Sequence, residues 1–406
     1  MWQLIRSNRR KAAALVVFMA AFLFVIGYLV GEVAAPGAGL GGLFVAFVVW
    51  LVLTLVAYFA GDQIFLAVSG ARRIQHDDHP VLFDVVEEMK IAAALPKLPD
   101  IYIIDDDAPN AFATGRSPET ASVAVTAGLL EILDRDELQG VIAHELSHIK
   151  NRDILYMTMV GVMMGTIVLL ADVGLRVFFS GATRRTSSRS RGGGQAQLVI
   201  LLVAIVLMIL APIIAQLIYL AVSRRREYLA DACGALYTRY PEGLARALEK
   251  LARSTQPLRS ATRATAPLYI VNPLAVTPRG LSDLTSTHPP ISERIRILRS
   301  MAGGSGFRNY DEAFRKVTGR PVGVIPFSAI NEAPEVAQQV PAKTDTRSQT
   351  ERVRQTKDAL WRLGNYIFLP CTCGATLKVP PAYAGKKIAC PRCGTVHTVT
   401  AKGLPV

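Results

Sequence analysis

Long uncharged stretches of hydrophobic residues alternate with polar segments along the first half of the chain. Four of them are long enough to cross a bilayer core, which takes about 20 apolar residues in a helix: Ala12–Gly31, Ala34–Gly61, Ile154–Ala171 and Leu198–Val222. No small-residue cleavage site follows the first stretch, which indicates a retained anchor rather than a signal peptide. The pattern predicts a two-helix anchor and a second hydrophobic hairpin further along.

The polar segment between the second and third stretches has the periodicities of a folded α+β domain. A helix over Val81–Ala94 is predicted by apolar residues at helical spacing, namely Leu82, Val85, Val86 and Met89. Two runs rich in β-branched residues, Ile101–Ile104 and Ala121–Thr126, predict strands. Asn110 to Ala113 is predicted as an edge strand, with a plain loop as the alternative. His76 and His79 flank two aspartates and are interpreted as a solvated helix start rather than a metal cluster.

A further helix is predicted between Asp134, which forms a capping box with Glu137, and Asn151. It carries His144, Glu145 and His148. Two histidines four residues apart share a helix face and reach one metal ion, and the glutamate between them can take a proton from water. The pattern predicts a zinc hydrolase; two ordinary surface histidines are the alternative.

A catalytic zinc site needs a third protein ligand and keeps one position open for water. Glu227 is the candidate, and Asp231, four residues on, would orient a histidine. The spacing alone leaves open an exposed acidic pair that neutralises the arginines at 224–226.

Four motifs in order carry a resemblance over roughly residues 1 to 300. They are Pro109–Gly115, Ala143–His148, Glu227–Asp231, and Thr287–Pro290 followed by Glu293, Arg294 and Ile295. The chain resembles the HtpX-type membrane metalloproteases, relatives of the CAAX prenyl proteases. The resemblance implies Glu227 as third zinc ligand and an edge strand, formed here by Asn110, Ala111, Phe112 and Ala113, that binds the substrate backbone. It also suggests a transition-state role for His288, for which capping of the next helix is the alternative.

The distribution of positive charge predicts the orientation. The net charge is +13, with Arg6, Arg9, Arg10 and Lys11 before the first stretch, and Arg72 and Arg73 after the second. By the positive-inside rule these groups lie in the cytoplasm, which places the zinc site at the cytoplasmic surface of the cell (inner) membrane. The arginines at 176, 184, 185, 189 and 191 oppose translocation of the loop between the last two stretches. It therefore stays open whether the hairpin over 154–222 spans the bilayer.

The C-terminal quarter predicts a different kind of module. Residues 301–360 turn polar, and Ala329–Lys357 has the composition of a flexible linker. Beyond it Cys371, Cys373, Cys390 and Cys393 have the spacing of a zinc ribbon. Two disulfides are the alternative, which a cytoplasmic location disfavours. Cys233 is predicted to be a buried residue in the packing of a helix.

The sequence therefore predicts an α-helical membrane protein with a zincin-like α+β catalytic domain and a small C-terminal zinc ribbon. The predicted units are an anchor (1–61), a catalytic domain in two parts (62–153 and 223–300) around a hydrophobic hairpin (154–222), a linker (301–360) and the ribbon (361–406). The predicted function is a zinc endopeptidase with one catalytic and one structural zinc, which degrades damaged or misfolded membrane proteins. Its expected partners are peptide or protein substrates and the lipid bilayer. A membrane-anchored binding protein with an inert zincin domain is the alternative. Nucleic acid is not expected, because only Tyr383 accompanies the basic residues of the ribbon.

Overall fold

The computed structural model describes residues 37–158, 224–271 and 288–400, with gaps at 255, 260, 262–265, 333–335 and 340–346, together with separate residues between 10 and 28. The predicted span Leu198–Val222, the part of Ile154–Ala171 beyond Thr158, and the arginine-rich loop between them lie outside the described residues.

Helix α1 (Gly39–Val68) is the only helix in the described part of the chain that is long and apolar enough to cross a membrane. It begins later and ends later than the predicted span Ala34–Gly61. Its 30 residues give a length of about 45 Å, which exceeds a hydrocarbon core of about 30 Å. The surplus lies at its C-terminal end, where Phe65 and Leu66 are buried against the rest of the protein. The preceding helical residues contact α1, since Trp50 Nε1 donates to the carbonyl of Val16 at 3.3 Å.

Four strands form one sheet with the order β1-β2-β4-β3. Strand β1 is Ala71–Arg73, β2 is Asp100–Ile104, β3 is Ala111–Thr114 and β4 is Ser122–Thr126. The central pair β2 and β4 runs parallel, and both outer strands pair antiparallel. The strands predicted from the β-branched runs are confirmed to within a residue. Helix α2 (Pro80–Ala92), predicted over Val81–Ala94, contributes the buried stripe of Leu82, Val85, Val86 and Met89 to the same core.

The start of α2 corrects the interpretation of the two nearby histidines. His76 is exposed in a short 3-10 turn, as expected, but only 3% of His79 is exposed. The Nδ1 atom of His79 accepts a hydrogen bond from the backbone N–H of Leu82 at 3.1 Å, so this side chain caps the helix. Burial lowers the pKa of His79 to about 4, and the ring therefore stays neutral at pH 7.

One helix pair follows the sheet in the chain, and a second pair packs on the first. Helix α3 (Ala127–Ile132) leads into α4 (Arg135–Lys150), where the predicted capping box of Asp134 and Glu137 and the end at Asn151 are confirmed. Helix α5 (Arg224–Thr238) and helix α6 (Pro241–Arg253) pack on α4. The approach of α6 requires a glycine, because a Cβ at Gly140 would lie 2.6 Å from the backbone nitrogen of Leu244. The helix that carries the histidines is thus held from both sides.

Residues 301–360 are not a polar linker where the structure describes them. After α7 (Ile291–Arg299) come α8 (Phe307–Thr318), α9 (Phe327–Glu332) and α10 (Gln349–Leu363). Phe307, Tyr310 and Phe314 belong to the main hydrophobic core, and Ala359 joins it from α10. The prediction was wrong because it used average polarity, whereas three aromatic residues at helical spacing are enough to bury one face of α8.

The C-terminal module contains two antiparallel hairpins. Strands β5 (Ile367–Pro370) and β6 (Thr376–Val379) form the first, and β7 (Lys387–Ala389) and β8 (Val396–Thr398) form the second. Its buried core consists of Leu369, Val379 and Val399, which is small for a module of this length. Such a module depends on a metal or on packing against a neighbour for its stability.

Candidate active site

Helices α4 and α5 bring three potential metal ligands together. The Nε2 atoms of His144 and His148 are 3.3 Å apart, and the Glu227 carboxylate oxygens lie 3.6 and 3.7 Å from them. Zinc–nitrogen bonds of 2.0–2.1 Å in a tetrahedron put neighbouring ligand atoms about 3.3–3.4 Å apart. The spacing of the three side chains therefore suits one tetrahedral ion with a fourth position left over.

Each histidine has a carboxylate behind it. The Nδ1 atom of His144 lies 3.0 Å from Asp231, the residue that sequence spacing had suggested. The Nδ1 atom of His148 lies 3.2 Å from Asp153, which the sequence analysis missed. Arg152, just after the end of α4, has a left-handed backbone with φ of +55°, and the chain turns there so that Asp153 faces His148. These carboxylates fix the tautomer that presents Nε2 to a metal.

Asp231 is in turn held by Arg294, a fully buried side chain of α7. The guanidinium donates two parallel hydrogen bonds to the carboxylate at 2.7 and 2.8 Å and a third to the carbonyl of Ile270 at 3.1 Å. Burial raises the pKa of Asp231, but Arg294 outweighs that effect and the net shift is downwards. Arg294 belongs to one of the four sequence motifs, but no role was predicted for it. Its hydrogen bonds hold Asp231, which in turn orients His144.

The electrostatics of the cluster fit a cation. Burial lowers the pKa of His144, yet Asp231 and Glu227 more than compensate and raise it to about 9. Among the described residues, Oε2 of Glu227 is buried without a hydrogen-bond donor. The two oxygens of this carboxylate each face one imidazole nitrogen, and together these groups are the donor set that zinc binds in catalytic sites.

Glu145 points into a small cavity beside these residues. Both of its carboxylate oxygens are buried and meet no donor at hydrogen-bonding geometry among the described residues. Burial raises the pKa of Glu145 above its ordinary value. The cavity is also lined by Ala113, His148 and Glu227, and its volume of about 10 Å³ holds roughly one water molecule. Glu145 is thus placed to exchange a proton with a water in that space.

His288 belongs to the same buried cluster. It lies directly before α7, only 6% exposed, and it interacts with the charge of Glu227 and with the backbone of Tyr269. Burial lowers the pKa of His288. The structure brings it to the site, as the resemblance implied.

The edge strand differs from its prediction in two respects. It begins at Ala111, and the amide of Asn110 is instead bonded to the backbone of Val271, donating to the carbonyl at 3.0 Å. The strand edge is also occupied by residues 266–271, which we call the strap. Phe112 pairs with Tyr269 in an antiparallel bridge, and the Ile270 N–H donates to the Ala111 carbonyl at 3.0 Å. Sequence reasoning missed the strap because it is held by backbone bonds and carries no motif.

The four C-terminal cysteines form a second cluster. Their sulfur atoms all lie within 4.8 Å of one another, with Cys371 to Cys393 at 3.5 Å and Cys373 to Cys390 at 3.8 Å. Zinc–sulfur bonds of 2.3 Å in a tetrahedron give about 3.8 Å between sulfurs, so this cluster also suits zinc. The Thr395 hydroxyl is the main cause that lowers the pKa of Cys393 to about 6, which favours the thiolate. A glycine directly follows each pair of cysteines, and these residues, Gly374 and Gly394, have φ near +80°. Cys233 is buried in α5, as predicted.

Comparisons with known proteins agree with this geometry. Residues 77–302 match the model of peptidase family M48. The Protease HtpX homolog of Dictyoglomus turgidum is 47% identical over 300 residues, covering 74% of this chain and 94% of that protein. The Protease HtpX homolog of Syntrophobacter fumaroxidans is 45% identical over 296 residues, with 72% and 99% covered. The Protease HtpX homolog of Thermococcus sibiricus is 43% identical over 301 residues, with 73% and 97% covered.

Among solved structures, S. mikatae Ste24p aligns with 18% identity and a TM-score of 0.40 over 73% of this chain and 67% of that one, a likeness too slight to support inference. The family model ends at residue 302, so the cysteine cluster lies outside it. With His144, Glu145, His148 and Glu227 inside the matched region, the chain belongs to peptidase family M48 and is a metalloprotease.

Proposed function

We propose that the protein is a membrane-anchored zinc endopeptidase that cleaves misfolded or damaged membrane proteins from the cytoplasmic side. One zinc is held by His144, His148 and Glu227 and acts in catalysis. A second is held by Cys371, Cys373, Cys390 and Cys393 and stabilises the ribbon. The observation that carries the proposal is the three-ligand cluster with a carboxylate behind each histidine and Glu145 beside it.

The roles of the residues follow from their positions. When bound, zinc supplies Lewis-acid polarisation of the scissile carbonyl and lowers the pKa of water towards about 7. Glu145 accepts the proton of the attacking water and later delivers it to the leaving amine. His288 donates to the oxygen of the scissile carbonyl as negative charge develops on it. The edge of β3 from Ala111 to Ala113 takes the substrate backbone by strand addition after the strap has moved away.

The membrane part of the proposal rests on α1 and its surroundings. Exposed large apolar side chains such as Leu40, Phe44 and Phe59 suit contact with lipid. Arg72 and Arg73 follow the end of α1, which supports a cytoplasmic location for the catalytic domain. The strap contacts the same end, since the hydroxyls of Tyr269 and Ser69 are 3.3 Å apart. The site therefore lies beside the membrane helix, close to the misfolded or damaged membrane proteins that are its proposed substrates.

The decisive experiment measures zinc per chain by elemental mass spectrometry and casein cleavage on detergent-purified protein. We expect two zinc ions per chain, and Glu145→Gln should keep both while losing cleavage. Glu312→Gln, an exposed position on α8, is the matched control and should cleave at the wild-type rate.

A ribbon variant separates the two metal sites. Cys390→Ser with Cys393→Ser should lose one zinc while retaining the zinc bound by the histidines. If Glu145→Gln cleaves casein at the rate of the wild type, the assignment of the general base is wrong. If the ribbon variant loses no zinc, the structural site is wrong.

A further inference from the structure

The C-terminal module contains a groove that shares no lining residue with the cavity of the candidate active site. It has a volume of about 500 Å³, within the range of ligand sites. It lies between β6 and β7, and Trp361 of α10 also lines it. Most of its lining is apolar, including Trp361, Leu377, Val379, Pro380, Tyr383 and Ile388. Leu377 and Ile388 also pack on the small core of the module, so the groove floor is part of the fold.

Both walls of the groove offer free strand edges. In the described part of the chain, β6 pairs only with β5, and β7 pairs only with β8. All four residues of β6 line the groove, together with Ile388 and Ala389 of β7. Four strand residues extend about 13 Å, which matches a peptide segment of similar length. An extended peptide lying in the groove can therefore pair its backbone with a strand edge while its side chains contact the apolar floor.

The charge around the groove selects the kind of peptide. No aspartate or glutamate occurs between residues 359 and 400, whereas five cationic residues do: Arg362, Lys378, Lys386, Lys387 and Arg392. A zinc ion with four thiolates contributes a net charge of −2, so this stretch stays at +3. Lys378 pairs with Asp358 at 2.5 Å. Lys386, Lys387 and Arg392 are exposed and have no carboxylate partner among the described residues. Lys387 directly precedes Ile388 and Arg392 directly follows Pro391, two residues that line the groove, so these cations add positive charge beside it.

Base stacking is disfavoured by the state of the aromatic rings. The Trp361 ring stacks on Tyr366 at a centroid distance of 5.9 Å, and the Lys378 ammonium lies 4.2 Å from the same ring. The ammonium of Lys386 lies 5.0 Å from the Tyr383 ring. Single-stranded nucleic acids bind through open aromatic faces. Because Trp361 already contacts Tyr366 and Lys378, and Tyr383 already contacts Lys386, less aromatic surface is open for bases, which favours a peptide over an oligonucleotide.

We infer that the groove between β6 and β7 binds extended protein segments that alternate apolar and acidic residues, by strand addition. The occupant follows from two observations, the unpaired strand edges and the positive charge without acidic partners. This inference does not require the catalytic site to work. Helix α10 packs on α3 of the catalytic body, so a bound segment is held on the same body as the zinc cluster.

The test uses the full-length Glu145→Gln protein in detergent with zinc present, so that binding is measured without cleavage. The probe is a fluorescent eight-residue peptide of alternating valine and glutamate, followed by anisotropy. The comparison peptides replace glutamate by lysine, or carry N-methyl groups on alternate backbone nitrogens. We expect the acidic peptide to bind at least about tenfold more tightly than either comparison peptide.

Charge reversal at the groove provides the matched control. Lys386→Glu with Lys387→Glu should weaken binding of the acidic peptide by about tenfold or more. Lys97→Glu with Lys316→Glu makes the same change of net charge at exposed positions of the catalytic body and should leave binding unchanged. Equal binding of acidic and basic peptides would overturn the charge argument. No effect of N-methylation would overturn strand addition, and tighter binding of an eight-residue oligothymidylate would identify a nucleic-acid site instead.

Discussion

Removing the charge of Asp231 tests the support behind the zinc cluster. Asp231 and Arg294 are both fully buried, and the carboxylate bridges the guanidinium and Nδ1 of His144. We predict that Asp231→Asn has two separate effects. It weakens zinc binding by about 10–100-fold, because the amide holds the His144 tautomer less firmly. It also destabilises the packing of α5 on α7, because the Arg294 charge is left buried without its partner.

The size of the second effect follows from burial. Breaking a buried ion pair by removing one partner costs about 3–5 kcal/mol. A local opening free energy lowered by about 3 kcal/mol speeds amide exchange on the order of 100-fold. The exposed pair of Arg299 and Glu242 is the matched control, since both side chains are about 40% exposed. Glu242→Gln should cost less than about 1 kcal/mol.

The assay is hydrogen exchange by mass spectrometry on peptides from α5 and α7, with zinc affinity measured in parallel. The double variant Asp231→Asn with Arg294→Met removes both charges. It should recover most of the lost protection while zinc binding stays weak. The reasoning is refuted if the double variant exchanges as fast as Asp231→Asn alone, or if Asp231→Asn binds zinc as tightly as the wild type.

Three other perturbations follow from the fold. The unfolded chain takes up a proton on His79 near pH 6.5 but the folded chain only near pH 4, so folding stability should fall by up to about 3 kcal/mol as pH drops between these values. His79→Asn keeps a helix cap that does not titrate, and a thermal unfolding series that fell equally for both proteins would contradict this. Phe112→Cys with Tyr269→Cys should form a disulfide that ties the strap to β3, because these residues face each other in a non-hydrogen-bonded pair. Casein cleavage should then be lost on oxidation and return with reductant, with oxidised wild type as control; equal cleavage in both states would show that the strap need not move. Gly140→Ala should lower stability by about 1–3 kcal/mol, because its methyl group overlaps the backbone of α6; an unchanged melting temperature would refute that contact.

The sequence predicted the elements that depend on local chemistry. The capping box of Asp134 and Glu137 and the end at Asn151 define α4, and the spacing of His144 and His148 within that helix follows from its period. Glu227 needed the resemblance, because spacing alone did not separate a ligand from a surface acid. The four cysteines are brought together as their spacing implied.

What the sequence did not predict depends on contacts between distant segments. Asp153 contacts His148 after a left-handed backbone conformation at Arg152, which no sequence motif indicates. Arg294 acts 63 residues from Asp231, and α8 joins the core through three aromatic residues that an average hides. The strap likewise pairs Tyr269 with Phe112 through the backbone. Such pairings carry no composition signal and emerge only when the chain is folded.

The strap covers the candidate active site and is held there by three contacts. It pairs with the edge of β3, its Ile270 carbonyl accepts from Arg294, and Tyr269 contacts Ser69 directly after α1. The same arginine therefore holds both the carboxylate behind His144 and the segment that fills the cleft. A cavity with room for about one water leaves no space for a peptide, so the proposed strand addition to β3 requires the strap to leave first. If substrate binds at β3 as proposed, the movement of the strap breaks its contacts to the sheet edge, to Arg294 and to Ser69 at the end of α1.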